Sequence, residues 1–333
     1  MKLERNSNIE ALRIVCMLLI IAHHVIDAKT GCKFDSLLVN NVYRCGVLPT
    51  VCVPVDCFVL ISGWFGIKVN WRKLFSLNNM TTFYAIILGA VYVLAFLKFP
   101  DIQSIIKMML PVVTQQYWFI TMYVVLCLLA PFINLLLEYM NEKGVRQLLQ
   151  LMGVMFVLLP TVGYILNFRS ITGDAGYGPV NFVFLYILGR YMRLYHQPKR
   201  SAVCYALLFV LTCVSCGIFQ LLYSYILGFE FTSLISSDTL FIVAGAVLLF
   251  CTFERLNFNN RTINYVSSFA LPVYVIHIHP WCFSWFFNDL LGIKKSTDYN
   301  FIWYLVIIPF VVYLMCMLVE QMRRSVVSVF NKK

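Results

Sequence analysis

Long apolar runs almost free of charge dominate this chain, and they decide what it can fold into. From Trp118 to Leu137 no residue is charged. As a helix that stretch reaches about 30 Å, the hydrocarbon thickness of a bilayer. Hydrophobic types make up 61% of the 333 residues, charged types 12%, and mean hydropathy is +0.80. A soluble domain carries about twice that charged fraction. This excludes an ordinary soluble fold, and disorder fails on hydrophobicity. An outer-membrane β-barrel would alternate apolar and polar residues along each strand, and these runs do not alternate.

The expected fold is all-α: a polytopic integral membrane protein of about ten transmembrane helices. They are expected near residues 8–28, 46–66, 77–97, 117–137, 147–166, 180–194, 202–224, 237–253, 266–287 and 301–321, with 180–194 the shortest. The chain is read as a single domain, 1–333, and the first run as a retained span rather than a cleaved leader. With the N-terminus placed inside, eighteen Lys and Arg fall in inner loops and eight in outer ones. That bias predicts both termini in the cytoplasm and accounts for the net charge of +11. No basic block interleaved with aromatics is present, so nucleic acid is not an expected partner, whereas membrane lipid is. The twelve cysteines lack metal-ligand spacing. Cys213 and Cys216 are expected to pack as small apolar groups. Cys32 and Cys45 share the first outer loop and could pair only in an oxidising compartment.

Ionisable groups inside hydrocarbon are costly and mark function by default. The first span holds most of them: Glu10, Arg13, His23, His24 and Asp27. Arg13 and His24 are eleven residues apart, which is three helical turns, so they share a face about 16 Å apart along the axis. Asp27 follows His23 by four residues and His24 by three, within reach of either imidazole. Asp56, inside the second span, must be paired or protonated. Asp238 and Asp289 are expected at helix ends facing water. His277 and His279, two apart, must point in nearly opposite directions.

Glu10-Ala-Leu-Arg13 followed by an apolar run to His24 resembles the opening of the acyltransferase-3 family of bacterial membrane proteins. Further strings are similar in order: FVLISGWF (Phe58–Phe65), the basic cluster Trp71-Arg72-Lys73-Leu74, QYWFITMYVVLCLLAP (Gln115–Pro131), SFALPVYVIHIHPW (Ser267–Trp281) and the acidic-then-basic Glu320–Arg324. The resemblance spans nearly the whole chain. One departure is that Phe75 to Asn79 supply no further Arg where many members have one.

The resemblance implies a multi-pass O-acyltransferase of the bacterial cytoplasmic (inner) membrane. It would move an acyl group, usually acetyl, from acyl-CoA to a hydroxyl of a surface polysaccharide or its lipid-linked precursor. The expected catalytic residues are His24, Asp27 and His23, with Asp27 orienting the imidazole. His24 would act either as general base or as acyl carrier. Arg13, Arg72 and Lys73 are expected to hold the donor's phosphates. Glu10, Asp56, Ser62, Trp118 and His277 are candidate pocket residues, and no metal is expected. The acyl arm is expected to lie along the helix face between Arg13 and His24. A different class, a transporter or flippase of a lipid-linked glycan, would also use intramembrane charge, but spread over several helices.

Overall fold

The computed structural model describes residues 6–29, 37–168, 170–195 and 197–330; the side chains of Tyr299 and Phe330 are outside the description. Helix is the only regular structure among the described residues. The helices are α1 (Ser7–Ala28), α2 (Leu37–Phe65), α3 (Trp71–Phe96), α4 (Ile102–Met109), α5 (Trp118–Tyr139), α6 (Glu142–Ile165), α7 (Pro179–Leu194), α8 (Ala202–Leu227), α9 (Leu240–Glu254), α10 (Arg261–His277), α11 (Cys282–Leu290) and α12 (Asp298–Phe330).

Among the described residues, eight spans are long and apolar enough to cross a membrane: α1, α2, α3, α5, α6, α8, the stretch Ser233–Glu254 that contains α9, and Asn300–Val329 within α12. Two expected spans differ. The stretch expected near 266–287 is broken, because α10 and α11 meet at 105° across the four residues 278–281. Pro280 lies in that break; its ring cannot continue a helix or donate a backbone bond. The stretch at 180–194 is helical, but α7 has only 16 residues, about 24 Å, too short for a straight crossing. Large apolar side chains cover the outside of the long helices, such as Leu207 and Val210 on α8 and Val306 and Phe310 on α12. In water these would aggregate, whereas lipid is their natural solvent.

The helices group into two compact units that interleave along the sequence. The first holds residues 1–12, 36–69 and 122–259. There α2 and α7 pack backbone to backbone. A Cβ on Gly63 would sit 2.3 Å from the carbonyl oxygen of Tyr186, and one on Gly189 would sit 2.5 Å from that of Leu60. Without a hydrophobic drive between helices in lipid, such close approach supplies the van der Waals contact that joins them. Asn8 caps the C-terminus of α9: its amide Nδ2 donates to the carbonyls of Phe253, Glu254 and Leu256 at 2.9–3.2 Å.

The second unit holds residues 13–35, 70–121 and 260–333. Its polar knot is Glu320 on α12, 1% exposed. Tyr84 on α3 donates to this carboxylate at 2.6 Å, Arg323 forks onto it at 2.7 and 2.8 Å, and Arg324 adds a bond at 2.8 Å. Arg324 also donates to the Ser268 carbonyl at 2.9 Å, which ties in α10. Every lone pair of this buried carboxylate meets a donor, the condition under which burying it is tolerable. Lys29, just past α1, donates to the Ser296 carbonyl at 3.1 Å and fixes the loop before α12.

Candidate active site

The second unit brings two histidines from distant parts of the sequence into contact. His24 Nδ1 lies 2.9 Å from His277 Nε2. His277 Nδ1 lies 2.6 Å from the carbonyl oxygen of Val273. A carbonyl can only accept, so Nδ1 of His277 carries the proton and its Nε2 offers a lone pair. His24 must then donate from Nδ1, which leaves its own Nε2 as a lone-pair base. The backbone carbonyl at one end of the chain therefore sets the tautomer at the other. Phe283 edges against the His24 ring at 6.0 Å between centroids. His277 is buried and ends α10 at the break, the kind of interrupted helix that lines sites inside membrane proteins.

Asp27 does not orient His24, contrary to the sequence expectation. It pairs with His23, Nδ1 to Oδ2 at 3.3 Å, with side chains 32% and 48% exposed. Residues four apart are offset by about 40° around a helix and residues three apart by about 60° the other way, so Asp27 leans to His23. One ligand atom each from His23, His24 and Asp27 lie within 4.8 Å of one another, a spacing that suits a divalent ion. His24 can join such a set without losing His277 only through Nε2.

Along α1, Arg13 and His24 do share a face, but that face is closed. Met17 and Ile20 lie between them and are 3% and 8% exposed. An open run for an acyl arm, as expected from the sequence, is not present in this conformation. Met17 is the flexible member of the stripe. Arg13 Nε is buried with no hydrogen-bond partner among the described residues. A buried guanidinium donor left unpaired is costly, and an anion would satisfy it. Glu10 precedes Arg13 by one turn, in the part of α1 that belongs to the first unit.

Arg72 and Lys73 are exposed in the first turn of α3, where Asn70 caps the helix by accepting from the Lys73 N–H at 3.1 Å. Cations oppose the dipole at a helix N-terminus, so helix stability does not explain them. Trp118 opens α5 and rests edge-on against Phe119 at 5.9 Å. His279 turns away from His277 and bonds the Ala85 carbonyl of α3 through Nε2 at 3.1 Å.

Asp56 and Ser62 belong to the first unit. Ser62 spends its hydroxyl on the Phe58 carbonyl of its own helix, 2.9 Å away. Asp56 is 0% exposed, and neither carboxylate oxygen has a hydrogen-bond partner among the described residues. Its electrostatic neighbours are Ser237 and Asp238. Asp238, expected to face water, is buried instead and accepts from the Tyr164 hydroxyl at 3.1 Å. A buried carboxylate with only the Ser237 hydroxyl, among the described residues, near enough to donate is a cost to the fold. Asp56→Asn is therefore expected to leave insertion intact and the melting temperature of the solubilised protein equal or higher; a clear drop would show that Asp56 is held as a paired anion. Cys213 and Cys216 are free and buried in α8, as expected; Cys32, and with it the Cys32–Cys45 pair, lies outside the described residues.

Long apolar helices, together with a histidine pair drawn from distant parts of the sequence, define a polytopic membrane protein with a polar site. The profile of the acyltransferase-3 family, described as an acyltransferase domain, matches residues 6–321, and the chain belongs to that family. No curated protein and no solved structure matches it. The chain is thus a multi-pass membrane acyltransferase.

Proposed function

We propose that the protein transfers an acyl group, acetyl in the first instance, from acyl-CoA to a hydroxyl of a surface polysaccharide or its lipid-linked precursor. It does so in the bacterial cytoplasmic membrane, with both termini in the cytoplasm. The observation that carries this reading is the His24–His277 pair, which leaves one basic nitrogen at the end of a fixed hydrogen-bond chain. His24 Nε2 takes the proton from the acceptor hydroxyl as its oxygen attacks the thioester carbonyl carbon. The tetrahedral intermediate collapses, the carbon–sulfur bond breaks, and the CoA thiolate leaves with the proton from His24. His277 holds the imidazole in the right tautomer and supports its charge while protonated. Asp27, through His23, shapes the field at the mouth of this site.

Arg13, Arg72 and Lys73 are assigned to the donor's phosphates, with the unpaired Nε of Arg13 as the supporting feature. Because the face between Arg13 and His24 is closed, the reading requires Met17 to move when the donor binds. The test uses membranes bearing the full chain, labelled acetyl-CoA and the host glycan. Label should reach the glycan as an alkali-labile ester. Arg13→Ala should raise KM for acetyl-CoA about tenfold with a smaller fall in kcat, as expected for lost charge-assisted phosphate bonds. Glycan that carries equal acetyl with and without the gene would end the proposal.

A further inference from the structure

A cavity of about 300 Å³ opens within the second unit, lined by Ser104, Lys107, Thr114, Gln115, Gln116 and Trp281, with Pro280 at its edge. That is about ten waters' worth of space, room for one sugar ring. Its chemistry is distinctive: one indole, two primary amides, two hydroxyls and one ammonium. Gln116 Oε1 is buried and has no hydrogen-bond partner among the described residues. Gln115 stands at φ +54°, a left-handed conformation that costs a residue with a Cβ. The turn that imposes it is closed by the Gln116 N–H donating to the Pro111 carbonyl at 3.0 Å. Trp281 is held from behind, its ring 6.0 Å from Tyr92 and 6.2 Å from His279.

The cavity's position matters as much as its lining. Trp281 stands four residues past His277, in the break between α10 and α11. It also packs at the Tyr92 end of α3, twenty residues from Arg72 and so about 30 Å along the helix. The cavity therefore takes in the chain break that follows His277 and lies far from the exposed cations of α3. The α4 helix that forms one wall carries Ile102, Ile105, Ile106 and Met109 exposed on one stripe, and Ser104 and Lys107 turn to the cavity. An apolar outer stripe and a polar inner one suit a helix lying at the membrane surface.

We propose that this cavity is the acceptor subsite. It takes a single pyranose ring stacked on Trp281, its hydroxyls donating to Gln116 Oε1 and to the hydroxyl oxygens of Ser104 and Thr114, the latter having given its own proton to the Leu110 carbonyl at 2.8 Å, with an anionic substituent on the sugar facing Lys107. The assignment rests on the reading of His24 only for what happens to the bound sugar; binding itself does not involve His24. Two amides and hydroxyls beside an indole match a ring with polar edges and an apolar face. One cation among the described lining residues suits a uronate-type carboxylate better than a nucleotide's phosphates.

The test is saturation-transfer NMR with the full chain in phospholipid nanodiscs. The probes are methyl β-D-glucopyranoside and methyl β-D-glucopyranosiduronate. Ring protons of both should receive saturation, the uronate more strongly. Trp281→Ala and, separately, Gln116→Ala should weaken binding about tenfold, and Trp281→Phe should retain most of it. Lys107→Ala should erase the preference for the uronate. His24→Ala should bind both probes normally, which separates failure of this site from failure of the catalytic reading. Competition by glucosyl-diacylglycerol placed in the bilayer would assign the subsite to a membrane-borne glycan, and lack of competition to a soluble one. No saturation of either glycoside, or equal saturation with Trp281→Ala and Gln116→Ala, would overturn the proposal.

Discussion

Membranes in which His24→Ala is the only copy of this protein should transfer acyl groups about 10³-fold more slowly than wild type, in the range set by losing a positioned general base. The protein should still insert, solubilise and melt as a folded species. His24 is partly exposed and, among the described residues, its ring makes one side-chain hydrogen bond, to His277, so its removal costs little packing. The loss should fall on kcat, with KM for acetyl-CoA nearly unchanged, because the base acts on the acceptor's proton rather than on the donor's phosphates. That pattern is the opposite of the one expected for Arg13→Ala. His24→Gln would not rescue, since an amide cannot hold a proton in transit. Undiminished transfer by His24→Ala would remove the imidazole from the chemistry and leave the histidine pair as a packing contact.

The spans were legible because bilayer physics writes them in composition. A helix that crosses lipid bonds its own backbone and must present apolar side chains along its whole length, so α1, α5 and α8 stand out without any context. The break after His277 was not legible in the same way. Pro280 marks it, but proline is common in membrane helices, and the apolar run continues through Trp281, Phe283 and Trp285. The length of α7 was visible, yet whether a 16-residue apolar helix crosses or sits buried depends on neighbours that sequence does not name.

The site divides along the same line. The i, i+4 and i, i+11 spacings placed Arg13, His23, His24 and Asp27 on α1, and those placements rest on helix geometry alone. What spacing could not supply was the partner of His24, because His277 is 253 residues away and no local pattern couples them. The nearer Asp27 took that role by proximity in sequence, and a 20° difference in helical offset gives it to His23 instead. Likewise the cavity beside Trp281 joins residues near 104–116 to residues near 280, and only the fold joins them.

The sharpest consequence of that long-range pairing concerns His277. His277→Ala should slow acyl transfer about 10²-fold, less than His24→Ala, because the base remains but loses the group that fixes its tautomer. A purely structural role for a buried ring predicts additive damage. A positioning role predicts that His24→Ala/His277→Ala is no slower than His24→Ala alone, since His277 acts only through His24. Rescue provides the second discriminator. The ring of His277 donates from Nδ1 to the Val273 carbonyl and accepts at Nε2. A side-chain amide also places a donor and an acceptor side by side. His277→Gln should therefore transfer about tenfold faster than His277→Leu, although leucine is the better fit to an apolar, fully buried position. Equal rates for the two variants, with the double variant slower than His24→Ala, would reduce His277 to a core residue and break the hydrogen-bond chain on which the assignment of His24 depends.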